Sequence, residues 1–240
     1  MLLDGPIAPM LCSPARDLPV GDGWVLEPKW DGIRAIAHVT EDDPRLFTRH
    51  GRGHHRRFPR INEVLAQLPV GTVLDGELAC IQPLKDGRVR CRFDRVSAFM
   101  VARVPHRPDA NGLTVTLIVF DALAIGGTDL RAARWRERRA RLEELLADAD
   151  GAVRVTPVLE VNPALHAALV ADGWEGTVAK RTNGRYSCGR RSNAWVKLKS
   201  PAARDRDRRR YLASLARSCV PGPAVTPLLP TEPPVPAGRF

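Results

Sequence analysis

A lysine in the segment KWDGIR, residues 29–34, has neighbours that suit a nucleophile. The glycine of the segment permits a tight turn, and an acid and an arginine stand close to Lys29. A lysine amine attacks only when it is deprotonated, and nearby positive charge or desolvation lowers its pKa toward that state. Six such residues taken alone are more typical of an ordinary surface hairpin with a solvated lysine. Their meaning therefore depends on what else the chain contains.

Two carboxylates in the segment DGEL, residues 75–78, share one face if the segment is a strand. Side chains alternate between the faces of a strand, so Asp75 and Glu77 are expected to project together. A carboxylate there could bind ribose hydroxyls or a metal ion. Asp75 could equally be a turn or structural acid, because aspartate is common in turns.

The segment WVKLK, residues 195–199, presents two lysines in the same way. Val196 and Leu198 are expected to face the core, while Lys197 and Lys199 project from the other face. Two ammonium groups on one face suit a triphosphate, because they neutralise charge that moves onto the leaving pyrophosphate. The alternative is a solvated edge strand whose lysines discourage aggregation.

The elements that must position these residues are mostly strands. Apolar runs predict two strands around PKWDGI within 24–39, followed by strands at 45–49, 73–81, 113–125, 177–181 and 195–199. Amphipathic spacing predicts helices at 59–68 and 130–148, the second with an apolar stripe of Trp135, Leu142, Leu145 and Leu146. The strands do not alternate regularly with helices, which predicts an α+β fold with mainly antiparallel sheets and flanking helices.

The two ends of the chain differ in composition from its middle. Residues 1–23 are rich in proline and glycine and predict a loop that leads into the domain. After residue 200 a basic segment, with a short helix predicted at 204–217, precedes a proline-rich tail at 220–240. We therefore expect one domain over 1–200 and a separate segment over 201–240.

Composition narrows the class of protein. The 240 residues include 37 Lys and Arg against 27 Asp and Glu, a net charge of +10 that favours a polyanionic partner, most commonly nucleic acid. The 44% hydrophobic content argues against general disorder. There is no signal-peptide pattern and no apolar run of about 18 residues, which predicts a soluble cytoplasmic protein without membrane contact.

Neither the cysteines nor the histidines form a metal-binding pattern. The five cysteines are scattered and lack a CxxC pair, so we expect reduced structural thiols. His50, His54 and His55 lie in RHGRGHHRRF, but the further ligands that zinc requires cannot be identified. A basic loop near DNA, with arginines on phosphates, explains this segment better.

Six short motifs together resemble a known family. KWDGIR is followed in order by TRHG (48–51), DGEL, VFDAL (119–123), EGTVAKR (175–181) and WVKLK. Their order and spacing resemble the collinear motifs of the covalent nucleotidyltransferases, the superfamily of ligases and capping enzymes. The resemblance runs from about residue 5 to 200. TRHG, RERRARLEELL and GRRSNAWVKLK look most like bacterial ATP-dependent DNA ligases of the end-joining type.

The resemblance implies an ATP-grasp-like ligase adenylation domain with two sheets. Lys29 would attack the α-phosphate of ATP, lysyl-AMP would pass AMP to a DNA 5′-phosphate, and the 3′-hydroxyl would seal a nicked or broken duplex. ATP is then the co-substrate and Mg²⁺ the cofactor. The residues that the resemblance assigns to ATP are Glu27, Arg34, Arg49, Glu77, Phe120, Lys197 and Lys199. Those it assigns to the metal are Glu77 and Glu175, and those it assigns to DNA are Arg49, Arg52, Arg56, Arg57 and Arg191.

Several alternatives remain open from the sequence. Phe120 lies in an apolar strand, so it could pack in the core instead of stacking on adenine. The residues after Lys199 cannot form the OB-fold domain that usually follows in the family, so a separate OB-fold domain or end-joining proteins could be required. The chain could also be an RNA ligase, a capping-type enzyme, or a non-catalytic nucleic-acid-binding module of the same fold.

Overall fold

The computed structural model describes residues 5–53, 57–84, 89–91, 93–101, 113–149 and 151–218. The chain divides into two units, Met1–Ala203 and Arg204–Phe240. The strands are β1 (Leu11–Pro14), β2 (Trp24–Pro28), β3 (Ile33–His38), β4 (Arg45–Thr48), β5 (Val73–Pro83), β6 (Val89–Cys91), β7 (Thr114–Ile125), β8 (Thr128–Asp129), β9 (Val153–Val155), β10 (Gly176–Arg181) and β11 (Arg191–Lys199). The helices are α1 (Pro59–Leu65), α2 (Phe93–Val101), α3 (Trp135–Leu145), α4 (Pro163–Ala171) and α5 (Pro201–Ser218).

The strands form two sheets. The smaller sheet has the order β1-β11-β10-β2, and the larger has the order β4-β3-β5-β7-β8, with β6 added to β5 and β9 to β7. Only β1 with β11 and β7 with β9 run parallel among the described strands, and the other pairs are antiparallel. This arrangement, with its flanking helices, confirms the predicted α+β class.

Two apolar cores hold the sheets in place. On one face of the larger sheet, side chains of β5 and β7 pack with those of α1 and α3, including Leu65 and Leu142. On its other face, Ile36, Val73 and Leu123 pack against Met10, which precedes β1, and against Trp195 of the smaller sheet. Because strand side chains alternate, the residues of β5 that follow Val73 on the second face, 75 and 77, point toward the smaller sheet.

Three predictions about the elements are corrected. Residues 1–23 are not all loop, because Leu11–Pro14 form β1 at the edge of the smaller sheet. α3 begins at Trp135 and not at 130, since Leu130 lies in a turn whose carbonyl accepts a hydrogen bond from Ala133. β11 begins at Arg191 and not at 195, and its cleft face carries the buried ring of Trp195 as well as Lys197.

Helices α2 and α4 were not predicted. α4 is capped by Asn162, whose side chain accepts hydrogen bonds from the backbone of Ala164 and Leu165. None of the helices in the described part of the chain has the length and apolar character that a membrane crossing requires.

Candidate active site

A cleft opens where β2, β10 and β11 of the smaller sheet face β3, β5 and β7 of the larger one. It has a volume of about 860 Å³ when its open mouth is included. Its lining residues are Leu11, Cys12, Glu27, Pro28, Lys29, Trp30, Arg34, Arg49, Glu77, Phe120, Val178, Lys180, Arg191, Trp195 and Lys197.

Lys29 is held at this cleft by Glu175. It follows directly after β2, and its backbone N–H donates to the carbonyl of Gly176 at 2.9 Å. The Lys29 Nζ lies 2.5 Å from Glu175 Oε2, and Lys199 Nζ lies 2.6 Å from the other oxygen of the same carboxylate. Burial would raise the pKa of Glu175, but Lys29 and Lys199 hold it below its ordinary value. Glu175 is therefore a carboxylate that orients two ammonium groups.

Gly176 makes the approach of these strands possible. Its φ of +140° is a conformation that side chains disfavour. A Cβ at this position would lie 1.9 Å from the carbonyl oxygen of Leu198 on β11. The glycine of EGTVAKR is thus required for the placement of Glu175.

Glu77 is a second carboxylate in the cleft. It lies on β5 opposite Arg34 of β3 and is only partly exposed. Burial raises its pKa to about 7, although Lys29 and Arg34 lower it, and the charge of Glu175 raises it further. Glu77 is therefore a partly buried acid that feels the charges of Lys29, Arg34 and Glu175.

Arg34 reaches the cleft from a buried network. Its Nε and Nη2 donate to the two carboxylate oxygens of Asp75 at 2.5 and 2.6 Å, and Nη2 also donates to the carbonyl of Met10 at 3.2 Å. The hydroxyl of Tyr186 donates to Asp75 at 2.5 Å and accepts from the backbone N–H of Met10 at 3.0 Å. Asp75 is fully buried, so its role is structural, to orient Arg34.

Glu27 and Lys180 form an ion pair in the floor of the cleft. Their side chains are almost completely buried, with Lys180 Nζ 2.9 Å from Glu27 Oε2 and also donating to the carbonyl of Phe120. Glu27 Oε1 accepts no hydrogen bond from the described residues, although Arg139 Nη1 lies 3.9 Å away. Burial raises the pKa of Glu27, while Lys180 lowers it. This oxygen is an acceptor that a ligand could satisfy.

Aromatic rings form one wall of the cleft. Phe120 and Trp195 pack edge to face at 5.9 Å, and Trp195 packs in the same manner on Tyr186 at 5.6 Å. The guanidinium of Arg34 lies 4.8 Å from the Phe120 ring centre, and Lys180 Nζ lies 4.3 Å from that of Trp195. Phe120 packs against the core and also lines the cleft, so its stacking on adenine stays a prediction.

The opposite end of the cleft is cationic. Lys197 is half-buried, and its pKa is lowered by this burial and further by Lys199 and Lys29. Arg191 lies at the same edge, where its guanidinium donates to the carbonyl of Cys12, and Arg49 lines the rim. A polyphosphate is the kind of ligand that such an end would attract.

Most of the predicted site residues come together here. The predicted residues that line the cleft are Glu27, Lys29, Arg34, Arg49, Glu77, Phe120, Arg191 and Lys197. Glu175 forms an ion pair with Lys29, and Lys199 forms an ion pair with the same carboxylate. Arg52 and Arg57 lie outside it: Arg52 is exposed, and Arg57 Nη1 donates to the carbonyl of Phe99 on α2 at 3.3 Å. Arg56, His54 and His55 lie outside the described residues.

Seven lining residues were not among the predicted site residues: Leu11, Cys12, Pro28, Trp30, Val178, Lys180 and Trp195. Leu11 and Cys12 belong to β1, for which the sequence gives no strand signal. Lys180 and Trp195 lie within EGTVAKR and WVKLK, and strand alternation places each on the cleft face. Arg181 points to the other face, where its guanidinium lies 4.8 Å from the ring centre of Trp24.

Comparisons with known proteins point to one family. The family described as "ATP dependent DNA ligase domain" matches residues 9–199. The chain is 36% identical over 206 residues to a probable DNA ligase of Beutenbergia cavernae, covering 80% of this chain and 38% of that protein. It is 36% identical over 197 residues to the multifunctional non-homologous end joining protein LigD of Pseudomonas aeruginosa, covering 80% of this chain and 22% of that protein.

A solved structure agrees with these sequence comparisons. The structure of mycobacterial DNA ligase D complexed with ATP and MES is similar with a TM-score of 0.64 and 31% identity, over 80% of this chain and 60% of that one. The chain therefore spans 38% and 22% of the two curated relatives and 60% of the solved one.

Proposed function

The chain belongs to the family of ATP-dependent DNA ligase domains, and we propose that it transfers AMP from ATP to its own Lys29 and then to the 5′-phosphate of broken DNA. The observation that carries the proposal is the ion pair of Lys29 with Glu175, 2.5 Å long, at the edge of a cleft with an aromatic wall and a cationic end.

The base and ribose of ATP fit the aromatic half of the cleft. Phe120 offers a ring on which adenine can stack. The free oxygen of Glu27 is an acceptor suited to the adenine amino group. Arg34, fixed by Asp75, offers its remaining N–H groups to the ribose, and Glu77 is a further acceptor for ribose hydroxyls.

The triphosphate then extends toward Lys197, Lys199, Arg49 and Arg191. In the first step the ammonium of Lys29 loses one proton to water. A bond then forms between Lys29 Nζ and the α-phosphorus, the bond to the bridging oxygen breaks, pyrophosphate leaves, and the nitrogen loses a second proton to water. Glu175 orients the amine for attack, and the cations stabilise the charge that develops on pyrophosphate. The covalent intermediate divides one displacement into two easier ones.

Glu77 and Glu175 are the residues that would hold Mg²⁺. Their oxygen donors suit this ion, which is bound in many sites by one or two carboxylates together with substrate phosphates and water. No cluster of three His, Cys, Asp or Glu occurs among the described residues, so substrate phosphates and water would supply the other ligands. Burial is the main cause of the raised pKa of Glu77, and a bound cation would favour the charged carboxylate. Bound there, Mg²⁺ would neutralise charge on the reacting phosphates.

The later steps would use DNA. We assign Arg49 and Arg191 at the rim of the cleft, together with Arg52, Arg56 and Arg57, to the phosphates of a nicked or broken duplex. The name of the Pseudomonas relative favours a role in end joining. Because the relatives are much longer, we propose that sealing requires an OB-fold domain or partner proteins in addition to these residues.

The test is covalent labelling. The purified chain is mixed with α-³²P-labelled ATP and Mg²⁺ and compared with Lys29→Ala, with GTP as a competitor and with a ligase OB-fold domain added in trans. We expect covalent label that is absent from Lys29→Ala. Unlabelled ATP should reduce this label more than GTP does, and nicked DNA should remove it by accepting the AMP. If no label forms even with the added domain, the chain does not perform nucleotidyl transfer.

Labelling with GTP in preference to ATP would favour a capping-type enzyme. Discharge onto nicked RNA and not onto nicked DNA would favour an RNA ligase. Both results would contradict the DNA ligase assignment while leaving the chemistry of Lys29 in place.

A further inference from the structure

Two short segments of the first unit carry many arginines and no acid. RAARWR, residues 131–136, and RTNGR, residues 181–185, contain five arginines in eleven residues. The first segment leads into α3. The second begins at the last residue of β10 and continues into the connection to β11. Neither segment has a part in the cleft described above.

The fold brings the two segments into contact. The backbone N–H of Trp135 donates to the carbonyl of Gly184 at 2.8 Å, and that of Arg136 donates to the carbonyl of Thr182 at 2.9 Å. Arg138 Nη1 also donates to the carbonyl of Gly184, at 3.1 Å. Four exposed arginines therefore stand on two adjoining backbones. We name them the arginine surface: Arg134, Arg136, Arg181 and Arg185.

The charge of this surface is not compensated within the described residues. Arg131 is paired with Asp129, but no ion pair to a described acid is formed by any of the four arginines. They surround the first turn of α3, where the helix dipole is already positive and cations are unfavourable. Glu137 of that turn is an acid close enough to offset only part of this charge.

The arginine surface is separate from the nucleophile. Arg181 is paired in register with Trp24, at the end of β2 opposite to Lys29. Five residues of strand separate the two positions by about 17 Å. Lys180 points into the cleft while Arg181 points to the other face of the sheet, so a ligand on this surface would not occupy the nucleotide site.

We propose that the arginine surface binds the phosphate backbone of duplex DNA at a distance from the end that is joined. Guanidinium groups bind phosphate oxygens in a bidentate manner, and four of them on two hydrogen-bonded segments offer several contacts to a phosphate backbone. Duplex DNA is favoured over an acidic protein because the chain belongs to a family of DNA ligase domains. The identity of the partner therefore rests on the proposed function.

The test compares two variants with the same change of charge. In the first, Arg134, Arg136, Arg181 and Arg185 are replaced by Gln. In the matched control the replacements are made at four exposed arginines on other parts of the surface, Arg45, Arg60, Arg95 and Arg141. Binding of a labelled nicked duplex is measured by fluorescence anisotropy over a series of KCl concentrations, and melting temperatures establish that both variants are folded.

We expect the slope of log K against log salt to become shallower by about 2 to 4 in the first variant, since each phosphate contact contributes about 0.9. Affinity at low salt should fall by about tenfold or more. The control should change the slope by less than about 1. Labelling of Lys29 by ATP should stay the same in both variants, because neither touches the cleft.

Equal slopes in the two variants would overturn the proposal, as would stronger competition from an acidic protein than from duplex DNA. Absence of ATP labelling in the unchanged chain would count against the proposed function alone, since the salt dependence of DNA binding is measured without ATP.

Discussion

A buried and an exposed arginine–aspartate pair of the same geometry allow burial to be tested by itself. Arg138 donates Nε and Nη2 to the two oxygens of Asp121 at 2.7 Å each, and both side chains have zero exposure. Arg131 donates the same two nitrogens to Asp129 at 2.9 and 3.0 Å, but these side chains are 29% and 32% exposed. Replacement of either aspartate by Asn preserves shape and removes one charge.

The expected magnitudes differ because water can solvate only one of the arginines that remain. Asp121→Asn leaves a guanidinium buried between β7 and α3, with the carbonyls of Ala133 and Gly184 as its other partners. A buried charge that loses its partner costs about 3 to 5 kcal/mol, whereas an exposed pair contributes about 0 to 1 kcal/mol. For a domain of this size the first corresponds to a lower melting temperature by on the order of 10 °C.

Urea denaturation at pH 7.5, followed by circular dichroism, measures both variants against the unchanged chain. We expect Asp121→Asn to lower the midpoint strongly and Asp129→Asn to lower it little, with the same dependence on urea concentration. If the two variants lose the same free energy of unfolding within about 1 kcal/mol, the reasoning is refuted, because burial would then not determine how much the ion pair stabilises the fold.

Three further predictions concern the cleft. The pKa of Glu77 is raised to about 7 in the folded chain, so protonated Glu77 stabilises the fold fully at pH values below the ordinary pKa of glutamate, and this stabilisation is lost as the pH rises through 7. Glu77→Gln should remove this part of the dependence of the urea midpoint on pH. Mg²⁺ at pH 8 should stabilise the unchanged chain but not Glu77→Gln. Gly176→Ala should lower the melting temperature and abolish labelling, while Gly173→Ala, which has positive φ but open space, should do so much less. Tyr186→Phe should cost about 1 to 3 kcal/mol in unfolding and weaken ATP binding measured by titration calorimetry, because Asp75 loses a donor.

The sequence predicted the strands that carry the motifs because each has a local pattern. β2, β5, β7 and β10 have short apolar runs or alternating side chains, and these place Lys29 and Glu77 without any knowledge of the partners. The order of the strands within each sheet, by contrast, could not be predicted from local patterns. That β10 lies between β2 and β11 brings Glu175 to Lys29, and this pairing is a long-range property that no local pattern contains.

The features that were missed also have physical reasons. β1 was predicted to be loop because Pro9 and Pro14 lie in or beside it, and an edge strand tolerates proline where a central strand would not. Lys180 was not among the predicted site residues because alternation shows only that Lys180 and Arg181 lie on opposite faces of the strand. The carboxylate that pairs with Lys180, Glu27, comes from a strand more than a hundred residues earlier. A buried lysine is recognised only when the carboxylate that compensates it is known.

The parallel pairing of β1 with β11 has a consequence for how the protein is made. The Met10 N–H is bonded to the hydroxyl of a tyrosine 176 residues later, and Leu11 pairs with Arg191. Contacts this distant in the chain form late and slow folding. As the ribosome releases the polypeptide, β1 must wait for β11, the last strand of the smaller sheet, before it can pair. The cleft around Lys29 cannot form on a nascent chain until nearly all of the first unit has been synthesised.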